Sequence, residues 1–170
     1  AVLGCYNGQF IYIFNVTDTK LDGIREVTAA HEMLHAGYAR LDDVQKQRVH
    51  ELIDVEYEKL KNDAAFAERL AFYDRTEPGE RYNELHSIIG TEVAGVSDEL
   101  EKYYEKYFDD RGKTVKLYEQ YAAVFLELQK KGEQLSQQLT QLGDEIERES
   151  ALYNTDTSQF SADVDAFNAR

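Results

Sequence analysis

Proline is almost missing from this chain: one residue in 170, with only 10 glycines beside it. So few turn formers argue against a turn-rich β fold and for long helices. There is no Trp and a single cysteine, Cys5. One cysteine excludes an internal disulfide and says little about redox compartment. No apolar run approaches the roughly 20 residues that a membrane-spanning helix needs. Positive charge is scarce as well, with 19 Lys and Arg against 33 Asp and Glu and a formal net charge of −14. That balance argues against a general binder of nucleic acid or anionic membranes, so no nucleic-acid partner is expected. The first residues, Ala-Val-Leu-Gly, hold no basic region followed by an apolar one. No signal peptide is therefore expected within the chain, and a signal or membrane anchor is expected only outside it.

What is present supports a folded protein. Hydrophobic residues make up 42% of the chain, including 12 Tyr and 8 Phe, and the length suffices for one domain or a domain with an appendage. The most informative stretch is Val27–Leu41, which contains His31-Glu32-Met33-Leu34-His35, an H-E-x-x-H pattern. On a helix, residues four apart lie on one face, so both imidazoles can point at one metal ion. Glu32, one position on, sits near that ion without capping it. Two neutral imidazoles suit Zn²⁺, which takes about four ligands in a tetrahedron, and a third protein ligand would leave one place for water. The flanking Ala, Met, Leu and Gly residues are those of a buried helix, where an unpaired His-Glu-His triplet would be costly. These residues predict a Zn²⁺ site with Glu32 as a proton-transferring base.

Around the motif, the Asn7-Gly8 pair between β-rich runs predicts a hairpin over about 2–17. Its strand Phe10–Phe14 is the expected edge for an extended substrate. Asp22 is the expected cap of a helix over 23–39, and further helices are expected over 43–61 and 63–73. The segment from Tyr73 to Arg81 holds the only Pro-Gly pair and reads as a loop. Helical character returns at Tyr82. Glu84 and Glu92, eight residues apart on that helix, are alternative third ligands. His86 lies to the other side and reads as packing, and His50, among charged residues, as solvated.

The order of these features resembles the gluzincin metallopeptidases, in particular the catalytic domains of the anthrax lethal factor kind. The resemblance rests on His31-Glu32-Met33-Leu34-His35, then Tyr73-Asp74-Arg75-Thr76, then Asn83-Glu84-Leu85-His86-Ser87, and covers about residues 10–95. It implies that His31, His35 and Glu84 bind Zn²⁺, that Glu32 is the general base and that Tyr73 steadies the oxyanion, with Glu92 and Tyr82 as the respective alternatives. It implies a protein or peptide substrate and, by analogy with bacterial relatives, an extracytoplasmic or membrane-associated setting.

The C-terminal part has a different character. From about Lys113 to Asn154, Tyr118, Tyr121, Phe125, Leu128, Leu135, Leu139, Leu142 and Ile146 recur in steps of three and four, a coiled-coil seam expected to take a helical partner. Gly132 falls on it. Asn154–Ser158 reads as a turn, with a returning helix through Phe160, Val164 and Phe167. The expected fold is mainly α with a small N-terminal β-hairpin (α+β). A zincin-like metallopeptidase domain would occupy 1–110 and a helical-hairpin, coiled-coil arm 111–170. A zinc endopeptidase is the first functional reading. A non-catalytic helical interaction module with a degenerate or structural zinc site is the alternative.

Overall fold

A computed structural model of the chain describes residues 3–170. Two short antiparallel strands, β1 (Gly4–Tyr6) and β2 (Ile11–Ile13), come first, followed by a 3-10 turn at Thr19–Leu21. Six α-helices come next among the described residues: α1 (Ile24–Tyr38), α2 (Asp43–Leu60), α3 (Ala64–Thr76), α4 (Arg81–Glu92), α5 (Asp98–Tyr104) and α6 (Arg111–Asn168). The protein is thus mainly helical with a small N-terminal hairpin. Part of the expected hairpin, at Val2, lies outside the described residues. None of the helices described is long and apolar enough to cross a membrane.

The hairpin turns where the Asn-Gly pair stands. The Asn7 side chain accepts from the backbone N–H groups of Gln9 and Phe10, and Gly8 takes φ 91°. Register pairs Gly4 with Ile13, Cys5 with Tyr12 and Tyr6 with Ile11. Two further helices are capped by the aspartates that precede them. Asp42 accepts from Gln45 N–H while the Gln45 side chain answers to Asp42 N–H, and Asp63 accepts from Phe66 N–H.

Three local expectations are corrected. Asp22 does not cap α1: Gly23, at φ 90°, holds that position without a side-chain cap, and Asp18 caps the preceding 3-10 turn. Tyr73-Asp74-Arg75-Thr76 is helix rather than loop, because α3 continues to Thr76. The break falls at Glu77, φ −133° and ψ 65°, where the adjoining Pro78 bars helical backbone. The expected turn at Asn154–Ser158 is also absent, and α6 runs straight through it. Those residues are weak helix formers but not breakers. Thr155 and Ser158 return their hydroxyls to the carbonyls of Ala151 and Asn154 and so stay inside the helical hydrogen-bond pattern.

The chain divides into a compact unit ending at Val124 and a second unit, Phe125–Arg170. In the first, α4 is the central element, with α1, α2 and α3 packed against it. Its core joins Leu34 of α1, Val49, Leu52 and Ile53 of α2, Phe66 and Leu70 of α3, Leu85, Ile88 and Ile89 of α4, and Leu100, Tyr103 and Tyr104 of α5. Helices α1 and α4 meet at Gly90, where a Cβ would stand 2.4 Å from Leu34 Cδ1 and 2.9 Å from the Tyr104 ring. Only glycine permits this approach, which brings the first turns of α4 against the motif face of α1. Arg111, buried at the start of α6, donates to the Val93 and Ile89 carbonyls and pairs with Glu101. It thereby satisfies carbonyls that the end of α4 would otherwise leave open. The second unit is a single stretch of helix with Leu128, Leu135, Leu139, Leu142 and Ile146 all exposed.

Candidate metal centre

Helix α1 gathers the three motif side chains. The ligating atoms of His31, Glu32 and His35 lie within 4.8 Å of one another. The two imidazoles meet edge to face, 4.7 Å between centroids. From α4, Glu84 reaches both: Oε1 is 3.4 Å from His35 Nε2 and Oε2 is 3.6 Å from His31 Nε2. Glu84 is 2% exposed, and its Oε2 has no hydrogen-bond partner among the described residues. A buried carboxylate oxygen left open beside two imidazole nitrogens is costly unless a cation or proton completes it.

The donor set fits zinc. Ligand atoms about 2.0–2.1 Å from a tetrahedral Zn²⁺ stand roughly 3.3–3.4 Å apart, and each imidazole Nε2 lies near that distance from one of the two Glu84 oxygens. The protonation of the two imidazoles also suits a metal. Burial and the nearby Arg69 cation lower the His31 pKa to about 4, against the opposing pull of Glu77. Burial and His31 lower that of His35. Both rings are therefore neutral near pH 7, as ligation requires. Burial raises Glu84 to about 7, with Glu77 and Glu80 adding to it and His35 opposing. Glu32 is likewise raised to about 7, by burial and then by the Glu84 and Glu77 carboxylates, while a hydrogen bond from the Tyr6 backbone N–H works the other way.

His35 is held by a relay that its sequence neighbourhood does not announce. Its Nδ1 lies 2.9 Å from Asn83 Oδ1 and 3.3 Å from Ser87 Oγ. The Asn83 amide donates in turn to Glu80 Oε2 at 3.0 Å. Because the amide nitrogen is turned to Glu80, its oxygen faces the ring. The ring proton is thereby placed on Nδ1 and the Nε2 lone pair turned toward Glu84. This is the support that metal-binding histidines commonly receive. Asn83 and Ser87 flank Glu84 on the face of α4 that meets α1.

Glu92 lines the same cavity but forms an ion pair with Arg69, whose guanidinium also donates to the Tyr118 hydroxyl. Tyr73 lines the cavity too. Burial, and then the Glu84 carboxylate, push its phenol up to about 12, so it remains a hydrogen-bond donor over the neutral range. Tyr82 is engaged elsewhere: its hydroxyl donates to Asp54, and its ring stacks on His50 at 3.8 Å. His50, expected to be solvated, is partly buried and bonds the Tyr38 hydroxyl at 2.6 Å. His86 is fully buried against Tyr103, 3.0 Å from its hydroxyl, and burial lowers its pKa to about 3.

The cavity in front of these groups measures about 560 Å³ and is bordered by β1 rather than β2. At Gly4 a Cβ would stand 2.6 Å from Thr28 Cγ2 and 3.0 Å from Glu32 Cγ. Strand β1 can press onto α1 there because glycine carries no side chain, whereas the expected strand offers Phe10, Tyr12 and Phe14, all exposed. The Phe14 N–H donates to Leu3 O and the Asn7 N–H to Phe10 O. By alternation, the main-chain groups of Gly4 and Tyr6 face away from β2. The remaining charged group on the cavity is Glu77, whose side chain makes no hydrogen bond or ion pair among the described residues.

Comparison with protein-family models, with curated proteins and with solved structures gives no match. The functional reading therefore rests on the site itself.

Proposed function

We propose that this protein is a zinc-dependent peptidase. The observation that carries the reading is the buried Glu84 carboxylate, its Oε2 without a hydrogen-bond partner among the described residues, set 3.4–3.6 Å from the Nε2 atoms of His31 and His35. His31, His35 and Glu84 would hold the ion, as in a zincin of the gluzincin type, with Glu92 kept out of the set by Arg69. Bound zinc supplies a Lewis acid and brings the pKa of water to about 7.

The chain's own groups do the rest. Glu32, one position from His31 on the motif face of α1, takes the proton of the attacking water and passes it to the leaving amine. The Tyr73 phenol donates a hydrogen bond where negative charge develops on the carbonyl oxygen. The Tyr6 N–H is held by Glu32, and the other main-chain groups of Gly4 and Tyr6 that face away from β2 are offered to an extended peptide. The acidic lining, Glu77 above all, favours substrates that carry a cationic side chain near the cleaved bond.

Glu32→Gln tests the reading. Zinc content measured by atomic absorption should stay at one ion per chain, while turnover on a broad peptide library falls by about 100-fold or more. Less than one tightly held zinc per wild-type chain, or equal turnover in the two proteins, overturns it. The exposed apolar stripe of the second unit favours the alternative of a helical interaction module with a structural zinc. That reading predicts bound zinc, no turnover in the wild type and partner affinity unchanged by Glu32→Gln.

A further inference from the structure

His35 is oriented by Asn83 and Ser87. No side chain among the described residues does the same for Glu32. Its hydrogen bond comes from the main chain, from the Tyr6 N–H of β1. Glu32 needs such a hold. Its side chain is long and rotatable, and its ligating atom lies within 4.8 Å of those of His31 and His35. Left loose, the carboxylate could turn to the ion as a further ligand, or away from the water it must deprotonate.

Register and helix geometry explain why β1 can supply the hold. The Phe14 N–H donates to Leu3 O and the Asn7 N–H to Phe10 O, so Gly4 and Tyr6, between them, turn their main-chain groups away from β2. Gly4 lies over the stem of Glu32. A Cβ there would stand 3.0 Å from Glu32 Cγ, 3.1 Å from its Oε1 and 2.6 Å from Thr28 Cγ2. Thr28, one turn before Glu32 on α1, sends its hydroxyl back to the Ile24 carbonyl at 2.7 Å and leaves its methyl toward the strand. Two residues beyond Gly4, the Tyr6 N–H meets the carboxylate itself. The Tyr6 phenol takes no part, because it is folded back to Gly8 O at 2.7 Å. Stem and head of one glutamate are thus met by two successive outward-facing positions of one strand, and Glu32 is only 7% exposed.

We propose that β1 is the positioning element for Glu32, the Tyr6 N–H aiming the carboxylate and Gly4 letting the strand come close enough to do so. The inference rests on the reading of Glu32 as the proton-transferring base. Gly4 and Tyr6 are positioning residues, since they act through Glu32.

Tyr6→Pro set against Tyr6→Ala separates the N–H from the side chain. Both variants lose the phenol, and only proline loses the N–H. Because that N–H faces away from β2, proline removes no bond of the ladder, which protection of the Asn7 and Phe14 amides verifies. Both proteins should hold zinc as the wild type does. The kcat of Tyr6→Pro should lie below that of Tyr6→Ala by about tenfold or more, with KM within about twofold. Gly4→Ala, which pushes the strand off α1 at Thr28, should lower kcat with the same split, and adding Thr28→Ser should recover part of the loss. A second measurement needs neither zinc nor turnover. In the apo-protein the Tyr6 amide should exchange its hydrogen about tenfold more slowly than in Glu32→Ala, as a hydrogen bond to a charged group implies. Equal exchange rates overturn the proposal. So does a zinc-loaded Tyr6→Pro with an intact ladder, or a Gly4→Ala, that turns over as fast as its reference. A wild type that holds zinc without turnover overturns the peptidase reading instead, and the exchange rates still decide whether β1 holds Glu32.

Discussion

Replacing Asn83 with alanine isolates the relay that aims His35. In the native protein the Asn83 oxygen receives the His35 Nδ1 proton at 2.9 Å, and its amide nitrogen is fixed on Glu80 at 3.0 Å. Alanine removes both bonds and leaves only Ser87 Oγ, at 3.3 Å, beside the ring nitrogen. The imidazole is then free to adopt the other tautomer or to rotate, and either change takes a lone pair away from Glu84. Loss of a partly buried hydrogen bond to a ligating histidine costs about 1.4–2.7 kcal/mol, or roughly 10- to 100-fold in metal affinity. Competition of apo-protein with a chromophoric chelator reads the zinc dissociation constant directly. Asn83→Asp serves as a control, since a carboxylate still accepts from Nδ1, and it should keep most of the affinity. A separate melt of each protein in chelator should show little difference, because Asn83 lies outside the buried core. If Asn83→Ala binds zinc within about twofold of wild type while His35→Ala does not bind, the relay does not orient the ligand and the argument from tautomer fails.

Two further perturbations test the scaffold. Gly90→Val adds three carbons where even a Cβ would meet Leu34 and the Tyr104 ring, and both side chains are fully buried. Overpacking of this kind should lower urea stability by about 2–3 kcal/mol and should weaken zinc binding as α4 is pushed off α1. A stability unchanged within error would mean that the two helices have room to separate. Arg111→Ala leaves the Val93 and Ile89 carbonyls and the Glu101 carboxylate without their buried partner. A loss of about 2–3 kcal/mol is expected by denaturant titration, the half-exposed Glu101 being rescued by water. A loss below about 0.5 kcal/mol would refute the capping role.

Local geometry is written in the residues themselves. The four-residue step between His31 and His35 places both rings on one face of whatever helix forms. Asn7-Gly8 dictates a tight turn, Asp42 and Asp63 cap the helices directly after them, and the scarcity of proline and glycine leaves little but helix. Each of these depends on neighbours in the chain, so a short window suffices to read it. Where a local signal misleads, the cause is also local. Pro78 stops α3 at Glu77 rather than at Tyr73, and Asn154–Ser158 lacks any residue that forbids helix.

Which acid faces the imidazoles is decided only by packing. Glu84 and Glu92 are two turns apart on one helix, and periodicity cannot separate them. Gly90 lets α4 approach α1 at one height, while Arg69, arriving from α3, neutralises Glu92. The relay through Asn83 and Glu80 and the use of β1 instead of β2 beside the cavity have the same origin. They depend on contacts between segments some 20 to 50 residues apart, set by the shapes of side chains that no single helical period encodes.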